Sequence, residues 1–216
     1  ALLISGMVTA QLADETEIVF DGAYLLLVLK EALVGLTIGF AASLIFLAIQ
    51  TAGALIDFQI GFALTNLIDP SSGNTMPLTA NFKNILALLF FLSVDGHHHL
   101  LAGLLSSYEI IPWHHLPSWG EAGIAQHLSR VFAYSMAIAL QIAAPMVAVL
   151  FLVDLAMGII ARTVPQMNFF VVGFPFKIMI SILLLFLLIP GFFYILTGVF
   201  SRIFASMSEL MGLLGM

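Results

Sequence analysis

Three stretches of this chain run without one charged side chain for longer than a helix needs to cross a bilayer. Positions 32–56, 131–153 and 178–201 hold 25, 23 and 24 uncharged residues, and about 20 helical residues span the hydrocarbon core. Backbone in that solvent must satisfy its own N–H and C=O groups, which a helix does. A fourth apolar block, Asn84 to Tyr108, is split by Asp95-Gly96-His97-His98-His99. Neither half is long enough to span alone, so a helical hairpin or a broken helix is expected there. Composition agrees. The chain is 62% hydrophobic and 8% charged, where a soluble domain carries about 25% charged residues. An ordinary cytosolic enzyme and a disordered chain are excluded. So is a nucleic-acid binder, because a net charge of −6 offers no basic footprint. The absence of cysteine removes disulfide scaffolds, thiolate metal sites and cysteine nucleophiles.

The connecting segments are short and polar. Residues 11–21 (QLADETEIVFD) hold four of the twelve acids. Asp69 to Pro77 is dense in turn formers, and Pro77 is suited to open a helix. Tyr108 to Gln126 carries both tryptophans, whose amphipathic rings favour a membrane–water interface. Arg162 to Gln166 ends the helix before it. Pro145 and Pro190 lie within apolar runs and are expected to kink or split them. Lys and Arg are spread along the chain, so no loop sets an orientation. The chain opens within an apolar run, Ala1 to Ala10, which points to a hydrophobic segment preceding it.

On the first long helix Gly35, Gly39, Ser43, Gln50, Gly53, Asp57 and Gly61 advance mostly by three or four residues and share one side. Such a stripe either lets another helix approach closely or lines an aqueous path. Asp57 favours the second reading, because an acid at membrane depth faces a partner or a cavity. Asp154 is placed alike on a later helix. Lys83, Arg130, Arg162 and Lys177 are the candidate partners for both acids. The six histidines do not follow metal-ligand spacing. Helical sites use positions three or four apart, whereas His97, His98 and His99 are consecutive and should diverge. No metal site and no cofactor is expected. Ser71 and Ser72 lack the sequence frame of a hydrolase nucleophile. The segment Ile60 to Met76 (IGFALTNLIDPSSGNTM) starts apolar and ends in residues that cannot continue a helix. Irregular backbone beside a membrane helix must be buried or line a cavity.

Several fragments in order carry a family resemblance. They are Gly53 to Phe62 (GALIDFQIGF), Asp69 to Gly73 (DPSSG), Asp95 to His98 (DGHH), Ala144-Pro145, Asp154 to Gly158 (DLAMG), Arg162 to Phe169 (RTVPQMNF) and Gly173 to Lys177 (GFPFK). Together the chain resembles the FliR/SctT family of type III export-gate proteins, SpaR and YscT among them, with Pro165 to Phe169 closer to the flagellar branch. The resemblance implies an all-α, membrane-associated bundle of bent helical hairpins. Residues 1–123 would correspond to a FliP-like part and 124–216 to a FliQ-like part. It implies a non-enzymatic subunit of the flagellar basal body in the bacterial inner membrane, raised toward the periplasm. Its partners would be FliP-like, FliQ-like and FlhB-like subunits and unfolded export substrates. It makes Ile60 to Met76 a plug, with Ile60, Phe62, Leu64, Leu67, Ile68, Asp69, Pro70, Gly73 and Met76 as gating positions. Leu64 and Leu67 replace residues that are often aromatic in the family. It assigns assembly to Asp154, Arg162, Pro165, Gln166, Gly173, Pro175 and Lys177. The rival reading from the residues is a secondary transporter or ion channel that uses Asp57 and Asp154 as intramembrane carriers.

Overall fold

The computed structural model describes residues 22–62, 78–111, 122–164 and 169–214, and all five elements in them are helices. They are α1 (Gly22–Ile60), α2 (Leu78–Ser93), α3 (Gly96–Ile110), α4 (Ala122–Thr163) and α5 (Phe169–Leu214). At 1.5 Å per residue, α1, α4 and α5, with 39, 42 and 46 residues, are about 58 to 69 Å long. That is about twice the ~30 Å hydrocarbon core. The uncharged runs therefore mark only the middle of each helix. α1, α4 and α5 are long and apolar enough to cross a membrane.

α1 is apolar on every side, the pattern of a helix surrounded by protein or lipid. Its buried seam is Val34, Ile38, Ala41, Ile45, Ala48, Ile49, Ala52 and Ile56. α1 packs on α4, whose buried Ala139 and Ala143 belong to the same core. Phenylalanines join the rest of the core: Phe46 meets Phe91 edge-on at 5.8 Å, and Phe91 lies 5.3 Å from Phe200. α4 and α5 form an antiparallel hairpin. His127 near the start of α4 contacts Ser206 near the end of α5, and Asp154 near the end of α4 meets Lys177 near the start of α5.

Of the two outcomes expected at Pro145 and Pro190, the split does not occur: α4 and α5 continue through both prolines and through Pro175. A proline removes one ladder bond, and long flanking helix packed on its neighbours holds the remaining ladder in place. At Asp95 the broken helix, one of the two forms expected there, is the one observed: α2 and α3 are bent by 68° across the break. Asp95 takes a left-handed conformation (φ 54°), one that a non-glycine residue adopts at some cost. Gly96 follows it because a Cβ there would collide with the Phe91 ring.

Of the three membrane-length helices, α5 is the least covered where it is most apolar: 11% of that 18-residue segment is buried, and Val171, Met179, Leu183, Phe186, Leu187 and Tyr194 are exposed. A face this apolar needs lipid or another subunit over it.

Candidate functional site

Asp57 organises the end of α1. Its carboxylate is 3% exposed and accepts the backbone N–H groups of Thr79 (3.0 Å) and Ala80 (3.1 Å). These are among the orphan donors in the first turn of α2. A carboxylate on α1 thus caps α2 across the tertiary contact, with the added attraction of a negative charge for a helix N-terminus. The backbone carbonyl of Asp57 accepts the N–H of Gly61 at 3.1 Å. Gly61 has φ 102°, the left-handed turn that ends many helices and suits glycine. One residue therefore ends α1 and starts α2, on either side of the segment between them.

The stripe divides in two. Gly53 is buried, and a Cβ there would collide with the Ala80 backbone. Here the glycine permits helix–helix contact. Gly35 and Gly39 have nothing near the position a Cβ would take, and Ser43 and Gln50 are exposed. Gln50 lines a groove of about 360 Å³ between α1 and α2, together with Thr51, Asn81 and Asn84. The Asn84 Oδ1 is buried and has no hydrogen-bond partner among the described residues. Polar amides on such apolar helices mark the groove as a wet or partnered surface. The sequence reading missed it because Asn81 and Asn84 lie on a different helix from the stripe.

Of the gating positions, Ile60 and Phe62 are described; Leu64, Leu67, Ile68, Asp69, Pro70, Gly73 and Met76 lie outside the described residues, as does Pro77. Ile60 is buried, and Phe62 packs against the core.

Asp154 pairs with Lys177 at 2.7 Å, and its other oxygen accepts Gln59 Nε2 at 2.9 Å. This group ties α4, α5 and the end of α1 together. Asp57 makes backbone hydrogen bonds and no ion pair among the described residues. Both acids are thus engaged with internal partners, unlike a carrier that must exchange an ion or proton. Gly173 is buried, while Arg162 and Pro175 are exposed. Pro165 and Gln166 lie outside the described residues.

The histidines diverge less than their spacing suggested. Donor atoms of Asp95, His97 and His98 all lie within 4.8 Å of one another, because the left-handed turn at Asp95 folds it back over the start of α3. His98 Nδ1 is 3.3 Å from Asp95 Oδ1, and both side chains are more than 70% exposed. His114 and His115 lie outside the described residues. His127 is buried between Ser206 Oγ at 3.0 Å and Glu209 Oε1 at 3.7 Å. Its neighbours have the chemistry of a hydrolytic triad but not the geometry. The glutamate is beyond hydrogen-bond distance. Ser206 lies within α5, where backbone N–H groups are taken by the helix and cannot serve a developing oxyanion.

The long apolar helices and the unpaired outer faces define a membrane protein of the helical-bundle class that is built to be covered by other chains or lipid. Within that class, the family described as "Bacterial export proteins, family 1" matches residues 1–203. The chain is 45% identical to the flagellar biosynthetic protein FliR of Bacillus subtilis over 90% of its own length and 76% of the relative's. It is 34% identical to FliR of Pectobacterium carotovorum, covering 97% and 80% of the two chains. The surface presentation of antigens protein SpaR of Shigella sonnei is 32% identical over 86% and 71%. The chain belongs to this bacterial export family. None of the three relatives' names describes a catalysed reaction.

Proposed function

We propose that this chain is a subunit of a type III export gate in the bacterial inner membrane, and that it helps form and plug the channel for unfolded flagellar proteins. The observation that carries the reading is a family match along 203 of 216 residues with flagellar and antigen-presentation relatives. The partners are FliP-like and FliQ-like subunits, with an FlhB-like subunit at the gate, and the basal body is the site of action. Residues 1–123 act as the FliP-like part and 124–216 as the FliQ-like hairpin. The raised position toward the periplasm is part of the same reading.

Ile60 to Met76 is the plug. Its two ends are fixed through Asp57, which closes α1 at Gly61 and caps α2. Ile60 and Phe62, packed in the core, anchor the entry. Leu64, Leu67 and Ile68 give an apolar constriction that excludes water and ions. Asp69, Pro70, Gly73 and Met76 give the return. The open half of the stripe and the amide groove line the path. Asp154, Lys177, Arg162, Gly173, Pro175, Pro165 and Gln166 serve assembly.

The test is Leu64→Gly with Leu67→Gly in assembled gates, read as ion conductance or solute uptake without substrate. Increased leak with normal assembly is expected. Normal assembly with no added leak would reduce the segment to a connector.

A further inference from the structure

Lys83 is a cation held inside the protein with no carboxylate matched to it among the described residues. It lies on α2 and is 7% exposed. Its Nζ sits 5.6 Å from the Phe192 ring centre. Among the described residues no acid comes within ion-pair distance of it. Asp57 is the acid near enough to act on it electrostatically, but both Asp57 oxygens are committed to the Thr79 and Ala80 N–H groups. An ammonium removed from water needs an opposite charge or hydrogen-bond acceptors.

Lys83 borders a pocket of about 90 Å³ where α2, α4 and α5 meet, walled by Phe82, Leu86, Pro145, Met146 and Phe192. A dry cavity of ~150 Å³ takes one benzene, so this one suits a few heavy atoms: a carboxylate on a short aliphatic stem. Beside it, α2 exposes Leu78, Phe82, Ile85, Leu88, Leu89 and Leu92. They share one side of the helix, an apolar face against which a second helix can pack.

We propose that α2 docks, along Leu78 to Leu92, a helix of another subunit carrying one Asp or Glu, and that this acid enters the pocket and pairs with Lys83. The inference rests on the export-gate reading and names the partner's chemistry. The apolar face supplies contact area, and the single buried charge selects one partner helix over other apolar helices, because a helix without an acid leaves the ammonium unmatched.

The experiment places a photo-crosslinking phenylalanine derivative at Ile85 or Leu89 in the full chain, co-expressed and purified with its gate partners. The expected adduct is with one helix of a gate subunit. Lys83→Glu should lower that adduct at least tenfold, and changing one acid of the cross-linked helix to Lys should restore it. Restoration rules out misfolding as the cause. Lys83→Met, which adds no charge, should keep chain level within twofold and still lower the adduct. Adducts with lipid only, or an adduct unchanged in Lys83→Glu, would overturn the proposal. Recovery of the unaltered chain without any gate subunit would instead overturn the export-gate reading beneath it.

Discussion

One helix carries the same pattern twice and uses it differently each time. In the second half of α1, Gly53 and Asp57 face α2. The glycine lets the Ala80 backbone come close, and the acid caps the incoming helix. Earlier along the helix, Gly35, Gly39, Ser43 and Gln50 are exposed, and no neighbour fills the space a Cβ would take at either glycine. Small and polar residues at helical spacing permit close approach in both places. In one the approaching backbone belongs to this chain; in the other the space stands open.

The largest expected effect is therefore at Gly53. Gly53→Leu forces side-chain volume into the α1–α2 contact. It should cost about 3 kcal/mol or more, beyond ordinary overpacking because the obstacle is backbone. The chain should be lost from the membrane fraction, and wild-type levels would show that α2 does not lie where described. Asp57→Leu comes next. It leaves two buried N–H groups without their charged acceptor, a loss of ~2 kcal/mol or more, while Leu55→Ile on the same helix should be mild. Chain level and thermal stability of the detergent-solubilised complex measure both.

The other half should behave oppositely. Gly39→Ala meets no obstacle in this chain and gains up to ~1 kcal/mol of helix propensity, so stability should hold or rise. Gly39→Trp should leave chain level unchanged yet reduce export of a flagellar reporter several-fold. Equal tolerance of Ala and Trp would mean that the open half faces only lipid. The smallest effect contrasts Asp57 with Asp95, which precedes α3 but makes no side-chain cap bond. Replacing His97, His98 and His99 together by Asn should change assembly less than twofold, and metal analysis should find well under one equivalent. A stoichiometric metal lost in that variant would make the Asp95 turn a working site.

The architecture was legible because charge is so costly in a bilayer: uncharged runs located α1, α4 and α5, and the Asp95 to His99 break located the bend. The faces were not legible. When a helix is apolar all round, periodicity no longer separates inside from outside, and the buried Ala41, Ala48 and Ala52 seam carries no signal that Leu47 or Leu55 lacks. The partners of the two acids were equally hidden. Lys177 was one of four cations available to Asp154, and no sequence rule would match Asp57 to backbone N–H groups twenty-two residues on. Gln59 went unmarked beside Asp57, although it completes the Asp154 group. Lys83 stood in the sequence only as a possible counter-ion, because its lack of an ion-pair partner among the described residues is a property of the packed helices.

The central claim is that this subunit is incomplete alone, its exposed α5 face and open α1 stripe belonging to an assembly. Expression with the FliP-like and FliQ-like partners deleted, followed by size analysis in mild detergent, tests that most directly. The account requires aggregation or degradation without the partners and a defined hetero-oligomer with them. A stable, monodisperse monomer in their absence would contradict it.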